Sequence, residues 1–213
     1  MADFDVLETL ALRGGAFVHL PLHLDRMQAT AQHFGYPWIA PRITQVLALL
    51  RDQHPQGDWR VRLALRHDGK VMGEAHPLRP TPTPVRLQLA RAPLANALAH
   101  GDWVHFKTSR RDHYVALQPA DASVFDTVLF NEDRELTETT RGNIAVLLDG
   151  RWITPPLRCG LLPGVGRQVC IEQGRLAERV ILLDDVPRAQ GWAFVNSLRG
   201  WLDAERVEAA LDK

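Results

Sequence analysis

Ile153-Thr154-Pro155-Pro156 and, three residues on, Gly160-Leu161-Leu162-Pro163-Gly164-Val165-Gly166-Arg167 decide how the chain is read. The two prolines stop a short apolar run, Trp152 to Thr154, that reads as a strand, since proline removes the backbone donor that a strand or helix interior needs. Leu161-Leu162-Pro163 then leads into a helix predicted from Gly164 to Gln173. The first N–H groups of a helix lack intrahelical partners and sit at its positive end, so those of Val165 and Gly166 can bind a phosphate. The segment is neither a Walker nor a Rossmann fingerprint, having no Gly-Lys-Ser/Thr and no glycine triplet at dinucleotide spacing. Taken alone it is equally an ordinary helix start.

Working outward, Asn143 to Leu148 and Trp152 to Thr154 read as strands joined by a tight Asp149-Gly150 turn. Val124 to Asn131, Arg179 to Leu183 and Ala193 to Asn196 are further strands, and Trp201 to Leu211 is predicted as a terminal helix. Nearer the start, Val6 to Leu12 and Ala16 to Leu20 form a hairpin about Gly14-Gly15. In Pro21 to Phe34, the positions Leu24, Met27, Ala31 and Phe34 recur at helical spacing. Pro41 to Gln53 is a second helix. Trp59 to Leu65 alternates in the manner of a half-buried strand and returns through Asp68-Gly69 into Val71 to Ala75. Pro77, Pro80, Pro82 and Pro84 make an extended connection ahead of a strand from Val85 to Ala90. Strands and helices without strict βαβ alternation imply an α+β protein in two lobes: a small N-terminal α+β lobe over 1–80, and a larger, β-rich C-terminal lobe over 81–213.

The chain has 213 residues, with 25 basic and 25 acidic side chains, so its formal net charge is zero. That balance argues against a protein that coats nucleic acid. A composition 46% hydrophobic and 23% charged is that of a globular protein. No apolar run approaches the roughly 20 residues that span a bilayer. With no signal peptide evident at Met1 to Asp5, Cys159 and Cys170 are expected to be free thiols in a cytoplasmic protein. The nine histidines are scattered, without His-Glu-x-x-His or Cys-His spacing, so no metal site is expected. No Gly-x-Ser-x-Gly elbow is present either.

Only three lysines occur, Lys70, Lys107 and Lys213. Lys70 lies in a turn and Lys213 is terminal. Lys107 follows the apolar run Trp103-Val104-His105-Phe106, which reads as a strand. A lysine desolvated there loses protonation and becomes a nucleophile towards aldehydes, although a strand-end lysine reaching solvent fits the same residues. Glu138, in Glu135-Leu136-Thr137-Glu138-Thr139-Thr140-Arg141-Gly142-Asn143, is the kind of carboxylate that keeps a pyridine nitrogen protonated. By itself the stretch also reads as a polar surface turn. Asn196-Ser197-Leu198-Arg199-Gly200 offers a hydroxyl and another N–H cluster. Arg26, on the polar side of the first helix, can grip a phosphate as a fork, or be simply solvated. Arg110 and Arg111 are candidate carboxylate ligands or surface charges.

In order along the chain, these pieces resemble the fold-type IV pyridoxal phosphate (PLP) enzymes, the group of branched-chain aminotransferases, D-amino acid aminotransferases and 4-amino-4-deoxychorismate lyases. Leu7-Glu8-Thr9 is similar to the family's Phe-Glu-Thr strand, and His23-Leu24-Asp25-Arg26 to its His-x-x-Arg helix. Phe106-Lys107-Thr108 falls where the Schiff-base lysine belongs. Glu138 precedes Asn143 by five residues, as the pyridine-binding glutamate does in the family. The stretch from Ile153 to Arg167 is similar to the phosphate-binding signature. Phe194 to Gly200, Lys107 to Arg111 and Phe125 to Glu132 lean towards the lyase. The resemblance implies PLP on Lys107. Arg26, Ser197 and the backbone of Val165 and Gly166 would hold its phosphate, and Glu138 its ring nitrogen.

The implied reaction converts 4-amino-4-deoxychorismate to 4-aminobenzoate and pyruvate, with Arg110 and Arg111 as clamps for substrate carboxylates. The implied partners are a small-molecule substrate, a second copy in a homodimer, and an aminodeoxychorismate synthase. The alternatives are an aminotransferase of branched-chain or D-amino acids, or a non-catalytic protein of the same fold. Two departures stand out. The chain starts almost on the Leu7-Glu8-Thr9 strand. And the tyrosine that often meets the cofactor's phenolic oxygen five residues after the lysine is here Asp112, with Tyr114 two further on.

Overall fold

A computed structural model describes residues 4–208. The chain divides into two units, residues 1–80 with 106–110, and residues 81–105 with 111–213. Both mix helices with strands, antiparallel throughout in the first unit and mixed in the second, the α+β class that the pattern predicts. Residues 106–110, Lys107 among them, go with the first unit, whereas the sequence boundary places them in the second lobe.

The first unit is built from β1 (Val6–Arg13), β2 (Ala16–Phe17), α1 (Leu20–His33), α2 (Ala40–Gln53), β3 (Asp58–Leu65) and β4 (Val71–Pro77), with sheet order β2-β1-β3-β4. Val6, Leu10 and Leu12 alternate onto one face of β1 and meet Met27 and Ala31 of α1 in the core. Ile43, Leu47 and Leu50 do the same from α2 at helical spacing. Proline stands in the first turn of both helices, where its missing N–H costs nothing. The expected return strand reaching Leu20 is cut to Ala16–Phe17, because His19 turns left-handed at φ 53° and the helix begins at Leu20. β3 pairs with β1 along its whole length, from Val6↔Leu65 to Arg13↔Asp58. The other edge of β1 is paired by β2 at Leu12 and Arg13, and by the 107–109 segment at Val6.

The second unit comprises β5 (Val85–Leu89), three single-turn helices α3 (Asn96–Ala99), α4 (Asp102–His105) and α5 (Asp112–Val115), then β6 (Asp126–Phe130), β7 (Leu136–Thr139), β8 (Asn143–Leu148), β9 (Arg151–Thr154), α6 (Val165–Glu172), β10 (Ala177–Glu178), β11 (Gly191–Asn196) and β12 (Gly200–Val207). Its eight strands run in the order β10-β9-β8-β11-β12-β5-β6-β7. β7 and β8 are joined by only three residues, yet four strands lie between them in that order, so the sheet curls. Val128, Ile144, Val146, Phe194 and Leu202 fill its core. Asp149 and Gly150 both take positive φ, the backbone that a two-residue hairpin loop needs between Leu148 and Arg151.

Three expectations are corrected. The predicted terminal helix from Trp201 is the strand β12, and residues 209–213, with Lys213, lie outside the described residues. β12 pairs with β11 on one side and with β5 on the other, so tertiary pairing overrides the helical preference of Ala204-Glu205-Arg206. The predicted strand Arg179–Leu183 is replaced by the short β10 before it and a 3-10 helix, Leu183–Arg188, after it. Trp103 to His105 lie in the helical turn α4, so no strand leads into Lys107. Of the two readings left open for the Glu138 stretch, the surface turn is excluded, since Leu136–Thr139 is a strand buried at every position.

Gly73 of β4 lies under α2. A Cβ there would come 2.6 Å from Val46 Cγ1 and 2.7 Å from Leu50 Cδ1, inside contact distance. Gly73→Ala is therefore expected to destabilise the protein by about 1–3 kcal/mol through overpacking, read as a lower urea midpoint at unchanged m-value.

Candidate active site

In the first unit, Lys107 is placed by backbone pairing. Leu7 N–H donates to Lys107 O at 2.9 Å, and Ser109 N–H donates to Asp5 O at 2.9 Å. Asp5 N–H also donates to Ser109 Oγ at 2.9 Å. The lysine is thus half-buried on an extended segment laid along β1, one residue beyond Phe106, whose ring stacks on His33 at 4.0 Å. Arg110, at the end of the same segment, is exposed.

Glu8 lies on the core face of β1 and is completely buried. α1 answers it with two side chains three residues apart, so both point to the same spot. Arg26 grips it as a fork, Nε to Oε1 and the terminal nitrogen to Oε2, each at 2.7 Å. His23 Nδ1 lies 2.7 Å from Oε2. Burial by itself raises the Glu8 carboxyl, but the Arg26 guanidinium and the His23 ring outweigh it and hold it at about 2, against an ordinary 4.5. Arg26 is not a solvated arginine: its side chain is 13% exposed and its orientation is set by a buried acid.

In the second unit, Glu138 is buried on β7. Tyr114 of α5 donates its hydroxyl to Oε1 at 2.5 Å, and Leu162 N–H donates to Oε2 at 3.1 Å. Asn143, first residue of β8, donates Nδ2–H to Leu162 O at 3.0 Å. Glu138 and Asn143 flank the β7–β8 turn, and both hold Leu162, just ahead of Pro163-Gly164 and α6. Gly164 is the N-cap of α6 and caps it with no side chain. A Cβ on Gly164 would collide with Asn143 Oδ1. A Cβ on Gly166 would lie 2.7 Å from Ser197 N and 2.8 Å from Asn196 O. Only glycines allow the helix start, the Asn196-Ser197 turn and Asn143 to approach so closely.

Beneath this group, the fully buried Asp126 accepts from Thr127 N at 2.8 Å, Thr140 Oγ1 at 2.6 Å and Arg141 N at 3.1 Å, and so shapes the turn that follows Glu138. Arg111 donates to Thr140 O and lies over the Tyr114 ring at 4.6 Å. The predicted arginine pair therefore divides: Arg110 belongs to the first unit and Arg111 to the second. The structure brings Glu138, Val165, Gly166 and Ser197 together in the second unit, and sets Lys107 on the segment beside β1 and Arg26 on α1 in the first. Glu8, His23, Tyr114 and Asn143 had no assigned role in the sequence reading.

The model of the amino-transferase class IV family matches residues 5–207. The chain belongs to the class IV aminotransferase family. A Schizosaccharomyces pombe protein provisionally named an aminodeoxychorismate lyase is 31% identical over 207 residues, 93% of this chain and 88% of that protein. The crystal structure of a Mesorhizobium loti protein, provisionally named an amino-acid aminotransferase, is 33% identical, covers 96% of this chain and 100% of its own, and superposes with a TM-score of 0.88. A hypothetical aminotransferase from Mycobacterium tuberculosis, solved with PLP bound, shares the fold at 19% identity and a TM-score of 0.78, over 98% of this chain and 83% of that one.

Class IV enzymes depend on PLP. The chain's own residues fit that cofactor. A buried carboxylate suits a pyridinium nitrogen, and a helix start without a side-chain cap, pressed against a serine turn, suits a phosphate. Cys159 is a buried free thiol pushed up to about 12 by burial and by Glu135, and so is not a competing nucleophile. Among the described residues no helix is long and apolar enough to cross a membrane, and no cluster of ligating side chains is placed to hold a metal.

The Glu8 group makes stability depend on acid. The folded carboxyl lies near 2 and the free one near 4.5, so its contribution is complete above pH 4.5 and drains away as pH falls towards 2. The amount is about 3 kcal/mol, from about 1.4 kcal/mol per unit. Glu8→Gln should lower stability at pH 7 and flatten the stability profile between pH 4.5 and pH 2, measured by denaturant titration at each pH.

Proposed function

We propose that this enzyme is a PLP-dependent lyase that converts 4-amino-4-deoxychorismate to 4-aminobenzoate and pyruvate. The observation that carries the cofactor assignment is Glu138, a buried carboxylate with both oxygens held by protein donors, next to the glycine-lined start of α6. The lyase assignment is supported by the lyase name of a relative 31% identical across 88% of its length, and by the likeness of Phe194 to Gly200 to the lyase ending.

In this reading Lys107 would hold the cofactor through its aldehyde carbon, and Glu138 would keep its ring nitrogen protonated. Arg26, Ser197 and the N–H groups of Val165 and Gly166 take the phosphate. Bound there, PLP supplies an electron sink conjugated to the substrate amine. With the cofactor held there, Lys107 Nζ would act as the general base that removes the proton from the carbon bearing the substrate amine. The adjacent C–O bond breaks, enolpyruvate leaves, and a proton added at its methylene carbon gives pyruvate. The remaining ring is aromatic, which drives the step. Glu8 and His23 keep the Arg26 fork aimed. Arg110 and Arg111 are proposed as ligands of the two substrate carboxylates. Arg111 would serve from its place over Tyr114. The protein works on this reading as a homodimer in the cytoplasm, alongside an aminodeoxychorismate synthase that supplies the substrate.

A second reading, an aminotransferase, is favoured by the Mesorhizobium loti structure at 33% identity. It shares the cofactor residues and differs in substrate contacts. Pyruvate and 4-aminobenzoate formed without an amino acceptor are expected of the purified protein, and turnover seen only with a 2-oxo acid would overturn the lyase. Borohydride reduction of the yellow protein should label one internal lysine, Lys107. A yellow colour that survives Lys107→Ala unchanged would remove that assignment. Gly166→Ala, which drives a methyl group into the Ser197 turn, is expected to weaken PLP binding at least about tenfold, the loss of roughly one charge-assisted hydrogen bond, as measured by titrating the apoprotein.

A further inference from the structure

We infer that Tyr114 is a positioning residue for the cofactor, acting through Glu138 rather than by touching the cofactor's phenolic oxygen. The inference rests on the reading of Glu138 as the ligand of the ring nitrogen and extends it. A carboxylate has two oxygens, and here each is already held by the protein: Oε1 by the Tyr114 hydroxyl at 2.5 Å, Oε2 by Leu162 N–H at 3.1 Å. Two donors from different segments fix both the position and the plane of a carboxylate, where one alone would leave it to swing. Tyr114 is itself held. The residue is 4% exposed, and the Arg111 guanidinium lies 4.6 Å above its ring. Arg111 in turn donates to Thr140 O, in the turn directly after Glu138. Arg111 and α5 thus clamp the end of β7 at two places, once on the side chain of Glu138 and once on the backbone beyond it.

The Tyr114 hydroxyl is a durable donor. Burial and the adjoining Glu138 carboxylate push it well above the ordinary phenol value of 10, so it keeps its proton throughout the working pH range. Tyr114 comes seven residues after Lys107, two beyond the position where the family carries a tyrosine for the phenolic oxygen. In this chain the hydroxyl is spent on the carboxylate instead.

The test is a double-mutant cycle on PLP affinity, read by titrating apoprotein and following the visible band of the bound cofactor. Tyr114→Phe keeps the ring and removes the hydroxyl. It is expected to weaken PLP binding about tenfold, the loss of one hydrogen bond to a charged acceptor. In a Glu138→Gln background the same change should cost almost nothing further. Equal losses in both backgrounds would make Tyr114 a packing residue and overturn the inference, as would Tyr114→Phe without effect where Glu138→Gln weakens binding. If Glu138→Gln itself leaves affinity and spectrum unchanged, the assignment of Glu138 to the ring nitrogen fails first, and the inference with it.

A second measurement covers a poorly folding Tyr114→Phe. The chain has two tyrosines, Tyr36 and Tyr114, so 3-fluorotyrosine labels two positions, and Tyr36→Phe assigns the remaining signal to Tyr114. That ¹⁹F resonance should move on adding PLP to otherwise unaltered protein and stay still in Glu138→Gln. A resonance that moves equally in both would again overturn the coupling.

Discussion

A carboxylate taken out of water must find donors, or the fold that buries it is lost. Three such acids organise this protein: Glu8 in the first unit, Asp126 and Glu138 in the second. Glu8 sits at a β1 position that alternation reserves for an apolar residue, and the two basic side chains on α1 make it tolerable. Docking α1 on β1 is therefore an electrostatic match as well as a hydrophobic one. The same match aims Arg26, so the residue proposed for phosphate recognition is preorganised by the packing of the unit itself.

The second unit repeats the principle with a different purpose. Asp126 gathers Thr127, Thr140 and Arg141 and shapes the turn between β7 and β8. That turn sets Glu138 and Asn143 at its two ends, and both reach Leu162. A five-residue spacing in the sequence thus becomes a fixed separation in space, and the glycines at 164 and 166 let the helix start close against it. Chemistry here depends on backbone approach as much as on side-chain identity.

Much of this was legible in the residues. Helical spacing located α1 and α2, alternation located β3, and the Asp149-Gly150 turn was read correctly. The misread terminal helix shows pairing to distant strands outweighing local preference. Ala204-Glu205-Arg206 favours a helix, yet β12 has strand partners on both edges. Leu136-Thr137-Glu138-Thr139 is polar enough to look like a surface turn, yet it is wholly buried, and the partners of Glu138 come from Tyr114 and Leu162, each 24 residues away. The role of Tyr114 was out of reach for the same reason: nothing near it in sequence announces Glu138, 24 residues away. A buried-acid reading of Glu8, with His23 and Arg26 at matching helix positions, was within reach, since the three residues were already in view.

The path of the chain has a further consequence. The first unit takes residues 1–80, yields to the second for 81–105, and takes five more residues before the chain leaves it for good. Those five cover the edge of β1 around Val6 and carry Lys107. A nascent or proteolytic fragment ending near Pro80 therefore has its hydrophobic core but an open strand edge, the form of surface that invites pairing with another chain. The segment that closes the edge is the segment that brings the lysine. During synthesis, the unit cannot become edge-protected without also acquiring its proposed reactive group.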